Sequence, residues 1–144
     1  MYRDTVTLFN RKIEADGDIW RAIVLTDVDL NADSGLLRQR YGESCTDNAK
    51  LHIAYHDNYM VGDLQWVNPM IYQNLTNTDG YFTFNTGEDF DFFIEGEWDG
   101  DEIIEDTDYL NGFYEYMHQN HFNCYAVTKF AKYSVIPHFE IFGR

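Results

Sequence analysis

Apolar and polar residues alternate with a period of two along several short stretches of this chain. That spacing turns one face of a β-strand towards a core and the other towards solvent. Thr5-Val6-Thr7-Leu8-Phe9 is the first such stretch and Trp20-Arg21-Ala22-Ile23-Val24-Leu25 the second, with the turn-like Ala15-Asp16-Gly17-Asp18 between them. Leu51–Tyr55 is a third. Tyr81-Phe82-Thr83-Phe84 leads through Asn85-Thr86-Gly87 into Phe90–Trp98, and the chain closes on Cys124–Tyr133 and Pro137–Phe142. Pro69 and Pro137 fall at the edges of these runs, where a missing N–H does least harm to a sheet.

One segment has the helical period instead. Asp106-Thr107-Asp108 offers a cap and first-turn acids, and Leu110, Phe113, Tyr114 and Met117 follow at helical spacing, with Gly112 interrupting the pattern. A second, shorter helix is predicted after Pro69, over Met70 to Asn74. Many short strands with one helix in the C-terminal half predict a mainly-β fold, formally α+β, built as a small β-barrel or β-sandwich.

Composition supports a packed core. The chain has 144 residues, 44 % of them hydrophobic and 17 % aromatic, with 11 Phe, 11 Tyr and 3 Trp. That length fits one domain over residues 1–144, which at this size buries about two thirds of its unfolded surface without a metal or disulfide. Cys45 and Cys124 lie far apart and read as reduced thiols. The opening Met1-Tyr2-Arg3-Asp4-Thr5 lacks the apolar run of a signal peptide, and synthesis in a cytoplasm is expected. No run approaches the ~20 apolar residues of a membrane span.

Charge sharpens this picture. Twenty-five Asp and Glu against 10 Lys and Arg give a net of −15, laid out unevenly. Residues 51–128 hold no Lys or Arg, and the acids crowd between Glu88 and Asp108. A surface of that sign argues against binding nucleic acid or an anionic membrane. Its carboxylates are a solvated edge or a docking surface for a basic partner, and the candidate partner-binding set is Glu88, Asp89, Asp91, Glu95, Glu97, Trp98, Asp99, Asp101, Glu102 and Glu105. Trp98, set among acids beside Gly100, is an interface candidate as well as a packing one.

Catalytic and metal-binding motifs are weak. His52 and His56 would stand about 13 Å apart along a strand, too far for one ion. His118, His121 and Cys124 recur every three residues, but a structural zinc site takes four close ligands and commonly a Cys-x-x-Cys pair, which is missing. A calcium loop needs Gly at its sixth position and Glu at its twelfth. Starting at Asp27 these are Ala32 and Arg38, and starting at Glu97 they are Glu102 and Asp108. Asp99, Asp101 and Glu102 could at most hold a cation loosely. No nucleophile elbow, phosphate loop or dinucleotide fingerprint is present, and Ser34, Ser44 and Ser134 lack a nucleophile's context. The expectation is a protein that is not an enzyme, with no cofactor.

Three stretches carry a resemblance. Asp4–Asn10, Phe90–Trp98 and Tyr133–Ile141 resemble a family of small phage and prophage proteins of gut Firmicutes, encoded in the virion-structural region near minor capsid and head–tail connector genes. More loosely, the layout is similar to head-closure and minor capsid proteins of tailed phages, from which it departs in the acidic region after Trp98 and the helix from Asp106. The resemblance implies a small β-barrel in the virion, made in the host cytoplasm. It would assemble as a homo-oligomeric ring against portal, adaptor or tail-side subunits, with no catalytic residues. The alternative from another class is an acidic DNA mimic that occupies the basic groove of a host nucleic-acid-binding or defence protein.

Overall fold

A computed structural model describes residues 3–32, 49–56, 59–120 and 123–144. Its strands are β1 (Asp4–Lys12), β2 (Ile19–Asn31), β3 (Ala49–Ala54), β4 (Met60–Val61), β5 (Leu64–Trp66), β6 (Tyr81–Phe82), β7 (Phe92–Glu95), β8 (Ile103–Glu105), β9 (Cys124–Tyr133) and β10 (His138–Gly143). Among the described residues two α-helices accompany them, α1 (Pro69–Gln73) and α2 (Phe113–Asn120).

The main sheet runs β1-β7-β9-β10-β3-β2-β8, and β1 also pairs with β2. The first six strands therefore close into an antiparallel barrel, with β8 an extra strand on the side of β2. The protein is mainly β, and the barrel form of the expectation is the one observed.

Closure depends on β2. Its first half pairs with both β1 and β8, while Asp29, Leu30 and Asn31 pair with β3. Between these halves the register with β1 slips, from Val6 opposite Leu25 to Asp4 opposite Val28. Asp27 sits there with φ of 56°, the left-handed region an Asp tolerates better than most side chains. A bulge of this kind adds a residue to one strand and bends it, which is how a long strand turns a barrel corner.

Alternation along the strands then sorts side chains into two cores. Val6, Leu8, Ile23, Leu25, Leu51, Ile53, Phe93, Val127, Phe139 and Ile141 fill the interior. Phe9, Trp20, Phe92, Ile94 and Cys124 occupy the opposite phase of the same strands and form a second core with Ile104, Phe113 and Met117. Strands β1 and β7 are thus buried on both faces, and their near-continuous apolar runs follow from that.

One end of the interior is filled by the segment after β3. The β4–β5 hairpin turns at Gly62, and β5 pairs with β6 in parallel. Asn68 caps α1 by accepting a hydrogen bond from the Met70 N–H at 3.0 Å, and Pro69 stands in the first turn where no donor is lost. This segment packs Tyr59, Trp66 and Phe84 around Phe139, with ring centroids 5.5, 5.0 and 5.0 Å away.

Several expectations shift. The Tyr81–Phe84 strand pairs only over Tyr81–Phe82, and Phe90–Trp98 only over Phe92–Glu95. The helix expected from Asp106 is a single 3₁₀ turn over Asp106–Asp108, and α2 starts seven residues later, at Phe113. Gly112, at φ of 92°, breaks the pattern immediately before it, and Leu110 is 99 % exposed instead of buried. Cys45, Ser34, Ser44, His121 and the end of the Asp27 loop at Arg38 lie outside the described residues.

Candidate functional site

The acidic segment is a strap tied to the outside of β1 and β2. After β7, the Gly96 N–H donates to the Thr5 carbonyl at 2.8 Å. The Thr7 hydroxyl donates to the Gly96 carbonyl and accepts from the Trp98 N–H, both at 2.9 Å. The Ala22 N–H holds the Glu102 carbonyl at 2.8 Å, which leads into β8. Trp98 lays its indole against Phe9 and Phe113, at 5.5 and 5.9 Å between centroids, and donates through Nε1 to the Asp101 carbonyl at 2.9 Å. Gly100 passes so close to the indole that a Cβ there would stand 2.3 Å from a ring carbon. Trp98 is therefore half-buried, anchoring the strap from beneath.

With the backbone and the indole turned inward, the acids face out. Glu95, Glu97, Asp99, Asp101, Glu102 and Glu105 are exposed, and none takes part in an ion pair among the described residues. Glu88 and Asp89 are exposed on a separate 3₁₀ turn. There the Arg11 guanidinium lies 3.6 Å from Asp89 and 3.9 Å from Asp18, stacked over Trp20 at 4.4 Å and Phe90 at 5.2 Å. A row of unneutralised carboxylates on a fixed backbone attracts cationic partners in a salt-dependent way.

Asp91 leaves the candidate set, because the structure buries it completely. Its carboxylate accepts from the Arg11 N–H at 2.8 Å, the Asn85 N–H at 2.8 Å, the Asn85 amide at 2.9 Å and the Asn10 amide. Burial pushes its pKa up to about 7, against these four donors, which favour the charged form. Asn10 also exchanges hydrogen bonds with the backbone of Thr83 at 2.7 and 2.8 Å, and Gln73 bridges Asn85 to the Arg11 carbonyl. The network clamps the segment that fills the barrel onto β1. Asn10 and Asn85, polar residues next to apolar strand runs, were the available signal for it.

A second charged group sits on the outer face of β3 and β10. Glu140 takes Lys50 at 3.1 Å, His138 at 3.2 Å and His52 at 3.5 Å, and His52 faces Asp29 at 3.9 Å. Burial works to raise the Glu140 pKa, but the hydrogen bonds from Lys50 and His138 outweigh it and the net shift is downward. Burial and the nearby Lys50 lower His52. His56 lies beyond the end of β3, exposed. Cys124 lies in the second core, where burial pushes its thiol up to about 12, and His118 is exposed on α2. Among the described residues, no group of three or more His, Cys, Asp and Glu side chains is placed to hold a metal ion. No helix among them is long and apolar enough to cross a membrane.

Residues 1–144 match the model of a family of unknown function, DUF6751, and the chain belongs to that family. No curated protein and no solved structure matches it.

Proposed function

We propose that this member of the family is a structural subunit of a tailed-phage or prophage virion, of the head–tail connector, head-closure or minor capsid type. It acts without catalysis, through contacts with other subunits. The observation that supports this reading is the division of labour in the barrel. The interior is filled by Phe82, Phe84, Phe139 and their neighbours, so the working surface is the outside, where the strap holds six exposed carboxylates on an anchored backbone. Interfaces of this kind use charge pattern to choose neighbours and set orientation. Copies arranged as a closed ring would repeat that acidic surface around an axis, facing basic portal, adaptor or tail-side subunits or lining a channel that repels duplex DNA.

Mass spectrometry of purified particles tests the proposal. The expected result is this polypeptide at an integral copy number per virion that matches a ring. Its absence from particles of a phage that expresses it overturns the proposal.

The second reading, an acidic DNA mimic, is favoured by the same strap, because its carboxylates lie in a stretch without Lys or Arg. Capture of a host nuclease or repressor that releases steeply with added salt would support it. The subunit would then act in the infected cytoplasm.

A further inference from the structure

A groove of about 580 Å³ opens between α2, β9 and the turn before β7. Its walls are aromatic. Phe90 and Tyr114 meet edge to face at 4.8 Å, and the His118 ring stacks on Tyr114 at 5.4 Å with only 24° between planes. Its floor is built from small side chains of β9, Ala126 and Thr128, and is held in place by neighbouring strands. The Val127 N–H donates to the Asp91 carbonyl at 2.8 Å, and Ala126 exchanges backbone hydrogen bonds with Arg144 at 2.9 and 3.0 Å. The Thr128 hydroxyl is turned onto the Phe142 carbonyl at 3.2 Å.

Charge distinguishes this groove from the rest of the molecule. The chain carries a net of −15, yet none of the described residues lining the groove is acidic, and they include Arg144 and His118. Burial raises the Tyr114 pKa, Cys124 and Glu115 add to that rise, and Arg144 works against it. Concave sites of this size, apolar in most of their lining with a few convergent polar groups, are the usual form of small-ligand sites. Aromatic walls take a flat apolar body, and an arginine among the lining residues can take a planar anion such as a carboxylate through paired N–H donors.

We propose that this groove binds an aromatic carboxylate, with the ring against Phe90 and Tyr114 and the carboxylate on Arg144. The site is separate from the acidic strap and does not depend on the virion reading. Two sources could supply that chemistry, a small aromatic acid or the C-terminal Phe of another polypeptide.

The test is a titration of the intact chain followed by amide NMR. The probes are 2-naphthoate, 2-naphthylmethylammonium as the same ring with inverted charge, and N-acetyl-Gly-Gly-Phe with a free carboxylate. Naphthoate or the peptide should shift the amides of Gly87, Ala126, Thr128 and Arg144 saturably, and the ammonium probe should bind at least about tenfold more weakly. Arg144→Gln should weaken carboxylate binding by about tenfold, and Arg144→Lys should retain most of it. Arg144 is exposed, so neither change threatens the fold. Tighter binding of the peptide assigns the groove to a partner's C-terminus, and tighter binding of naphthoate to a free acid. Equal binding of both charges, shifts elsewhere, or no saturable shift with either carboxylate overturns the proposal.

Discussion

The interior of the barrel and the layer beneath α2 are both aromatic and both closed to solvent, yet the chain builds them in different ways. The interior draws on all six barrel strands and the segment between β3 and β7, so its contacts join residues from one end of the sequence to the other. The outer layer takes Phe9, Trp20, Phe92, Ile94 and Cys124 from strands already fixed by the barrel, and its roof comes from one stretch, Trp98 to Met117. The interior therefore cannot open without unfolding the sheet. The roof can lift as a unit, held by ring contacts, the hydrogen bonds of the strap and the short ladder between β8 and β2.

Matched truncations test this most strongly. Phe139 and Phe113 are both fully buried, and each touches several other rings. Phe139→Ala should cost about 3–5 kcal/mol and lower the urea midpoint of the whole molecule. Phe113→Ala should release the roof while amides of β3 and β10 keep their protection in hydrogen exchange. Equal loss of protection in both variants would make the two cores one cooperative unit.

The next effect concerns Asp91, which clamps the filling segment to β1. Its pKa is raised from 3.8 to about 7 in the folded protein. Between those values the folded protein holds a proton that the unfolded chain has released, so its contribution to stability falls as pH rises through that window. The decline should reach up to about 4 kcal/mol. Asp91→Asn should flatten the slope between pH 4 and 7 in chemical denaturation, at the expense of overall stability, because its amide nitrogen meets N–H donors. A slope unchanged by the substitution would assign the pH dependence to other groups.

Asp106 gives the smallest effect and sharpens the comparison at the roof. One oxygen accepts from Trp20 Nε1 and from the Phe113 N–H, both at 2.9 Å, which joins the strand to the first residue of α2. Asp106→Ala should cost about 1–2 kcal/mol. The loss should appear in the signals of α2 and Trp98 before those of the interior. Loss of β10 signals in step with them would contradict a separable roof.

The interior was legible in the sequence because alternation is a local signal. Cys124–Tyr133 reads directly as a strand, and β9 has those bounds. The outer layer was harder to read. Phe9, Trp20 and Phe92 stand in the phase that alternation assigns to solvent, and their burial depends on a roof that arrives from more distant sequence. Strand β8 escaped notice because Ile103 and Ile104 are set among acids, and their pairing with β2 is a tertiary event. Counting charge cannot separate Asp91, enclosed by Asn10 and Asn85, from the acidic neighbours that face water. Trp98 combined both features, an indole that anchors and a backbone that presents acids.

In the seven-stranded sheet, β8 is the strand with a neighbour on one side only, and it is three residues long, Ile103–Glu105, with Glu102 before it. An exposed strand edge is a template on which another chain can add by backbone pairing, the first step towards fibrils and amorphous aggregates. A second copy docking there would bring its own acids against these at strand spacing, in a short ladder with few hydrogen bonds to gain. The carboxylates that face outward therefore also work against polymerisation of a chain rich in Phe and Tyr through this edge of the main sheet, so that copies at high local concentration are steered to other surfaces.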